Sequence, residues 1–466
     1  MERIYIKNLH GAVDTEVSVS GFVSVRRDHG KLIFLDIRDE TGFVQAVALP
    51  KEVGAHEMAD KLRPEWSIRV SGTVKKRPEK MVNSEQENGD IELVLSSIEI
   101  LNEATTPPFD ISTDGYDVGE EHRLRYRYID LRRARLQKNI RMRHKILKKA
   151  RDFFDARGFV EIETPILTKS TPEGARDYLV PSRLYPGQFY ALPQAPQQYK
   201  QILMASGFEK YFQIARVFRD EDTRGDRQPE FTQLDIEEAF IERDAMLALN
   251  EAFAIAVIEE CFPDKIIQEK PFPRISYKNA MEQYGTDRPD LRKDKNNPNL
   301  LAFAWIVDFP FFEKDERGGW TFTHNPFSAP KTEHRDELLK KENIGNILAE
   351  QYDLALNGFE IAGGSLRNHQ PKALEAVLEI IGFSPERIKS DFGHMLSALG
   401  SGAPPHGGIA WGVDRLIAAL MNEPNIREVI AFPKTGEGRD LMMDTPSSVE
   451  AKQLDELGLS IKKEKH

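Results

Sequence analysis

The chain has 466 residues, enough for two or three domains with substantial cores. Its 64 Lys and Arg are outnumbered by 75 Asp and Glu, and the formal charge of -11 excludes a generic polyanion binder, leaving nucleic-acid contact to local basic patches. The one cysteine, Cys261, excludes an intrachain disulfide framework and a multi-cysteine metal site. No apolar run reaches the roughly 18 residues of a membrane span, and Met1-Glu-Arg-Ile lacks a signal-peptide core, so a cytoplasmic protein with no membrane partner is expected.

Alternating apolar residues predict five strands at 17–25, 32–37, 43–49, 68–74 and 91–100, with a helix-compatible stretch at 51–62. That order suggests an OB-fold barrel, a fold that binds single-stranded nucleic acid with aromatic platforms and basic rims. Phe34, Arg26, Arg27 and Gln45 suit that task, although Phe34 fits a plain barrel core equally well. Residues 102–119, which include Thr-Pro-Pro108, read as a linker. Residues 123–149 then hold twelve Lys or Arg and one acid, Asp130. The second half is an amphipathic helix with Ile140, Ile146, Leu147, Ala150, Phe153 and Phe154 on one stripe, so its charges are either a solvated face or a phosphate-backbone contact.

A strand begins near Gly158 and stops at Pro165, and the polar segment 170–178 reads as a lid-like loop. The stretch 218–237, FRDEDTRGDRQPEFTQLDIE, lies between two strand-like runs and predicts a hairpin with a charged tip. Charges so dense at the ends of core strands need counter-charges, a metal or a polyanion, so a polar ligand competes with a solvated salt-bridge loop. Further on, 245–261 predicts a helix and 305–310 a strand, followed by His324. Asp353, Glu360 and Arg367 stand at steps of seven, and a strand, glycine turn and strand there would bring both carboxylates to one divalent ion such as magnesium. Last, a glycine-bearing strand runs into a helix near Val413, with Arg415 in its first turn.

Four stretches occur in a telling order: GFVEIETP at Gly158, TPEGARDY at Thr171, FRDED with RQPEFTQLDIE from Phe218, and GAPPHGGIAWGVDR from Gly402. They resemble the bacterial type of aspartyl-tRNA synthetase, a class II aminoacyl-tRNA synthetase, over nearly the whole chain. The resemblance implies an α+β protein: an OB-fold anticodon-binding domain at 1–103, a hinge at 104–135, and a class II catalytic domain with a C-terminal extension at 136–466. The catalytic domain should contain an antiparallel six-stranded sheet flanked by helices, and the protein should be a homodimer built partly on the Gly158 motif. Its implied activity joins L-aspartate to ATP as aspartyl-adenylate and passes the aspartyl group to tRNA-Asp. Carried over by similarity, Arg219 grips the α-phosphate, Arg415 the triphosphate end, Phe231 stacks on adenine, Glu221 holds its edge, and Gln233 joins the ATP site. Asp353 and Glu360 match magnesium ligands. Lys200 and Arg367 would take the aspartate side chain, with Glu173, Gln197, Asp235 and His324 completing the amino-acid pocket. Arg27, Phe34, Gln45 and Glu92 fall on anticodon-reading positions, and the hairpin tip 223–228 on the contact with the tRNA end.

Departures accompany the match. The inserted domain usual in bacterial members is absent, since Pro289-Asp-Leu-Arg292 runs almost directly to Ala302; a paired histidine appears as His324-Asn325; and Ala195 replaces a small hydroxyl residue. His29 favours an enzyme that charges both tRNA-Asp and tRNA-Asn, whereas Lys80 is more like the strict type, and the balance leans to the relaxed form. Two rivals share the fold: an asparaginyl-tRNA synthetase, and a non-catalytic tRNA-binding paralogue. Lys200 and Asp235 speak against the first, and retention of Arg219, Glu360 and Arg415 against the second.

Overall fold

A computed structural model describes residues 2–170 and 174–462. The chain divides into two compact units, Met1–Asp110 and Ile111–His466. In the first, β1 (Glu16–His29), β2 (Leu32–Asp39), β3 (Gly42–Ala48), β4 (Ser67–Lys76) and β5 (Ile91–Asn102) close into a barrel in the order β1-β2-β3-β5-β4. Helix α1 (Val53–Lys61) lies between β3 and β4 in the chain, where the helix-compatible stretch is expected. Alternation on β2 sends Ile33, Leu35 and Ile37 into the barrel core with Val19, Val44 and Leu93. Phe34, one step out of phase, is only partly buried on the outer face, which removes its reading as barrel core.

The second unit is built on a sheet of eight strands: β6 (Val160–Glu161), β7 (Lys210–Phe218), β8 (Glu230–Ala239), β9 (Arg274–Ser276), β10 (Phe303–Val307), β11 (Gln351–Leu356), β12 (Phe359–Leu366) and β13 (His406–Gly412). Their order is β9-β10-β11-β12-β13-β8-β7-β6. The inner six are antiparallel, as expected, but β6 and β9 extend the edges in parallel, so the sheet is mixed. Leu234, Ile236, Trp305, Leu354, Ile409 and Trp411 point to one face, against helices α2 (Ala134–Asp155), α4 (Arg243–Cys261) and α5 (Val413–Met421). Helix α3 (Gln197–Ala205) lies in the chain between β6 and β7. Each fully buried large apolar side chain contributes about 1.5–3 kcal/mol, so this layer dominates the unit's stability. Even the Trp411 indole is satisfied there, donating to Asn250 Oδ1 at 2.8 Å.

Residues 104–135, read as a hinge, fall on both sides of the boundary between the units; from Glu120 they form short helices, Glu120–Arg125 and Arg127–Asp130, within the second. Their basic run is largely used up internally. Asp130 accepts from Arg127 Nη1 at 2.7 Å and Arg133 Nε at 2.8 Å, and Arg123 donates to both oxygens of Glu428 at 3.1 and 2.8 Å. Arg135 reaches Glu423 and Glu428, and Arg143 pairs with Asp414. The phosphate-contact reading therefore fails for these arginines: guanidinium groups matched to buried carboxylates are scaffold. Among the described residues no helix is long and apolar enough to cross a membrane.

Candidate active site

The polar side chains that alternate away from the helices converge on the other face of the sheet, around a cavity of 710 Å³. Register builds its floor. Asp353 on β11 lies opposite Gly363, Gly363 opposite Ala410, and Ala410 opposite Asp235. The next row runs Gln351, Ser365, Gly408, Glu237. Carboxylates and the Gln351 amide thus stand on the outer strands while glycine, alanine and serine keep the two central strands low. A Cβ at Gly363 would lie 2.8 Å from Asp353 Oδ1, and one at Gly408 would lie 1.9 Å from Glu237 Oε2, so these positions are small because the acids occupy the space.

One end of the cavity is a buried charge cluster. Lys200, from α3, places Nζ 2.9 Å from Asp235 Oδ1 and 3.4 Å from Glu237 Oε2. Arg367, just after β12, donates to both oxygens of Glu237 at 2.8 and 3.1 Å and to Ser365 at 3.0 Å. Burial pushes the Glu237 carboxyl up, but Arg367 and Lys200 outweigh it and hold it below the usual carboxylate range. Two cations and two anions leave the cluster near neutrality. Its hydrogen bonding is incomplete, however: among the described residues Asp235 Oδ2, Gln197 Nε2 and Gln233 Oε1 are buried without a partner. Unmet buried acceptors and a donor around a cavity are the signature of a site shaped for a polar ligand. His324 lines the same cavity with its ring edge-on to Phe309 at 4.8 Å, and burial pulls its pKa down, so it is neutral at pH 7.

At the other end Asp353 is buried beside Glu360. Burial pushes the Asp353 carboxyl well above its usual value, and Glu360 pushes it further. Relief of such crowding by a cation is favourable. Among the described residues no three His, Cys, Asp or Glu are grouped to hold a metal by themselves. Two carboxylates fit magnesium, which keeps waters and takes phosphate oxygens as its remaining ligands.

The hairpin closes the cavity. Glu230 pairs with Phe218, and Arg219 N donates to Pro229 O at 2.8 Å, so the connection runs over 219–229: it contains the tip expected at 223–228, and Arg219 and Glu221 follow the first strand rather than lying on it. The Arg219 guanidinium lies 5.2 Å from the Phe231 ring centroid, and Glu221 pairs with Arg227 at 3.4 Å. Arg415, in the first turn of α5, donates to Asp226 O and Glu360 O, each at 3.2 Å. Gln228 clasps the backbone of Lys434, donating at 3.1 Å and accepting at 2.7 Å. The structure therefore brings together Arg219, Glu221, Phe231, Gln233, Asp235, Gln197, Lys200, His324, Asp353, Glu360, Arg367 and Arg415 around one cavity. Glu173 lies outside the described residues. Sequence reading missed Glu237, which orients both buried cations, and Gln194, which bonds Ala175 N and O at 2.9 Å each and so ties down the end of the lid segment. Glu237 shares the alternation of Gln233 and Asp235, the signal that could have found it.

In the barrel, Arg27 pairs across the strands with Phe34 and donates to both oxygens of Asp36 at 2.6 and 2.7 Å. Gln45 pairs with Asp36, so all four side chains share the outer face. Glu92 stands opposite Lys75, with Arg77 3.8 Å away. His29 meets Phe34 edge-on at 5.6 Å, and both it and Lys80 are exposed.

An aromatic and polar platform on an OB barrel, and an antiparallel sheet carrying arginines and paired carboxylates around a cavity, define the nucleic-acid-directed class II architecture. A model of the OB-fold nucleic acid binding domain matches residues 17–101, and one of tRNA synthetases class II (D, K and N) matches residues 119–436. The chain is 40% identical to an aspartate–tRNA(Asp/Asn) ligase of Rubrobacter xylanophilus, over 96% of this chain and 95% of that protein. It is 39% identical to an aspartate–tRNA ligase of Listeria welshimeri over 97% of each. An asparaginyl-tRNA synthetase from Pyrococcus horikoshii shares the fold with a TM-score of 0.73, at 24% identity over 93% of this chain and 98% of that one. The chain belongs to the class II tRNA synthetases and, within them, to the aspartate–tRNA ligases, enzymes that use ATP. Its alignment to the Rubrobacter protein runs over 573 positions against 466 residues here, so that relative carries more than a hundred residues that this chain lacks.

Proposed function

We propose that the cavity condenses L-aspartate with ATP to aspartyl-adenylate and that the chain then aspartylates tRNA-Asp. The observation that carries this is the cluster of Lys200 and Arg367 beside the unpartnered Asp235 Oδ2: two buried cations for a side-chain carboxylate and one free acceptor for an ammonium. An amide in place of that carboxylate would bring no negative charge to the two cations and would turn an N–H donor toward them, which discriminates aspartate from asparagine by orders of magnitude. Gln197, Gln233 and neutral His324 supply the remaining polar contacts, and Glu237 fixes Arg367 in position.

In the first step an aspartate α-carboxylate oxygen attacks the α-phosphorus and the bond to pyrophosphate breaks. Arg219 neutralises the α-phosphate, Arg415 the terminal phosphates, Phe231 stacks on adenine and Glu221 accepts from its edge. Magnesium bound by Asp353 and Glu360 would supply further charge neutralisation. No protein nucleophile is needed, because positioning and charge carry the reaction. In the second step a terminal ribose hydroxyl of tRNA attacks the aspartyl carbonyl and AMP leaves. The tip 223–228 meets the tRNA end, while Arg27, Phe34, Gln45 and Glu92 read the anticodon by stacking and hydrogen bonding.

The reading extends to a cytoplasmic homodimer. Val160 on the short edge strand β6, with Ile166 and Leu167 beyond it, is about half exposed, apolar edge surface of the kind that a partner copy covers. His29, the residue that the resemblance links to the relaxed form, supports aspartylation of tRNA-Asn as well, against Lys80, and the name of the Rubrobacter relative points the same way. Aspartate-dependent ATP–pyrophosphate exchange, with asparagine and lysine as controls, tests activation; exchange with asparagine alone would overturn it. Aminoacylation of tRNA-Asn transcript tests the wider specificity, and no product above background would remove it.

A further inference from the structure

A second cavity, of 340 Å³, adjoins the first and shares Asp226, Arg415 and Ile426 with it. Arg288, Phe359 and Ala419 complete the walls that matter here. Asp226, at the hairpin tip, is the common counter-ion of two arginines: its Oδ2 lies 3.4 Å from Arg415 Nη2 and 3.9 Å from Arg288 Nη1. Both distances exceed a charge-assisted hydrogen bond, so Asp226 is a loosely held, partly exposed anion between two cations. The Arg288 side chain is half exposed and reaches the cavity from a turn. The Arg288 backbone N donates to Thr286 Oγ1 at 3.3 Å, and Asp290, two residues on, accepts from Arg292 through both oxygens at 3.0 and 2.8 Å.

We infer that Arg288 is a second phosphate-binding arginine, which with Arg415 clamps the β,γ end of ATP and the departing pyrophosphate, and that the Asp226 carboxylate holds this place until the polyphosphate displaces it. The inference rests on the reading of the larger cavity as an ATP site. A polyphosphate outcompetes one carboxylate because it brings several negative charges and more acceptor oxygens to the same two guanidinium groups. The smaller cavity gives the terminal phosphates room beyond Arg415. Displacement removes only the side-chain tie between the tip and Arg415, because Asp226 O still accepts from Arg415 Nε at 3.2 Å. Asp226 and Arg288 are thus positioning and binding groups in opposition, which predicts opposite effects of their removal.

The test compares ATP, inorganic pyrophosphate and AMP, which ends at the α-phosphate, by equilibrium binding to the full chain and by aspartate-dependent exchange. Arg288→Ala should weaken ATP and pyrophosphate about tenfold while leaving AMP within about twofold, and Arg288→Lys should restore part of the loss. Asp226→Asn should tighten ATP and pyrophosphate about threefold, again sparing AMP. AMP binding doubles as the control that each variant is folded. Equal loss of AMP and ATP in Arg288→Ala, no change in either, or weakened or unaltered ATP binding in Asp226→Asn would overturn the inference. Absence of aspartate-dependent exchange in the unaltered protein would instead strike the function proposed above, since the ratio of ATP to AMP affinity is read independently of it.

Discussion

Two clusters in the second unit use the same chemistry to opposite ends. Around Asp130, the arginines at 123, 127 and 133 share one carboxylate, and backbone carbonyls take up much of the rest: Arg127 alone donates to Arg427 O, Ile430 O and Ala431 O at 2.8–2.9 Å. Around Glu237, Lys200 and Arg367 are as deeply buried and as closely paired, but they line a cavity where an acceptor of Asp235 and a donor of Gln197 find no partner. Density of charge does not distinguish them. What distinguishes them is open space: among the described residues Arg123 Nε and Asn139 Oδ1 are also buried without a partner, but only the unmet groups beside Lys200 and Arg367 border a cavity that a ligand can enter.

The largest effects should fall on opposite readouts. Arg367→Ala is expected to lower aspartate-dependent pyrophosphate exchange by roughly a thousandfold or more, since it removes a buried charge that the substrate carboxylate needs, while ATP binding persists. Aspartate kinetics unchanged within a factor of two would take Arg367 out of the pocket. Asp130→Asn should instead cost about 3–5 kcal/mol of stability in a urea titration, because three buried arginines lose their shared partner. The fraction that remains folded should keep its KM for aspartate; a shift in KM without loss of stability would show that the two clusters are not separate in function.

The division was only half visible in the sequence. Strand alternation and motif order put β7, β8, β11, β12 and β13 and their charged residues in place, and the turn at Asn357-Gly358, both at positive φ, was legible as a glycine turn between two strands. The basic run at 123–149 was not legible, since a linear sequence shows twelve cations and one acid while hiding that Glu423, Glu428 and Asp414 return some three hundred residues later. Glu237 escaped for a related reason. Alternation with Gln233 and Asp235 puts it on the cavity face, but its role of holding Arg367, a contact across 130 residues, is not written in that alternation. The outward face of Phe34 needed the barrel, because alternation alone does not say which phase faces in.

A pH titration sharpens the scaffold side. Burial pushes the Glu428 carboxyl up, but Arg123 and Arg135 outweigh it and bring it to about 2, against 4.5 for an unperturbed glutamate. The folded state therefore binds this proton less readily than the unfolded one. The resulting stabilisation, about 3 kcal/mol, is complete above the unfolded value near 4.5 and is lost as pH falls toward 2. Stability measured from pH 6 downward should fall in that window, and Glu428→Gln should flatten the fall while lowering the plateau. An identical pH profile in the variant would show that other carboxylates govern acid unfolding.

The smallest effect separates charge from stacking in tRNA contact. If the arginines of the basic run belong to the scaffold, the exposed Lys138 and Lys145 beside them are ordinary surface, and the double change to alanine should leave the KM for tRNA-Asp within about twofold. Phe34→Ala removes no charge, yet it deletes the aromatic surface on the outer barrel face between Arg27 and His29. Loss of one base-stacking partner costs about 1–3 kcal/mol, so the KM for tRNA-Asp should rise roughly tenfold to a hundredfold with pyrophosphate exchange unaffected. Should the lysine pair matter more than Phe34, the excess of basic residues at 123–149 is a tRNA surface after all, and burial of its arginines in ion pairs does not exhaust its role.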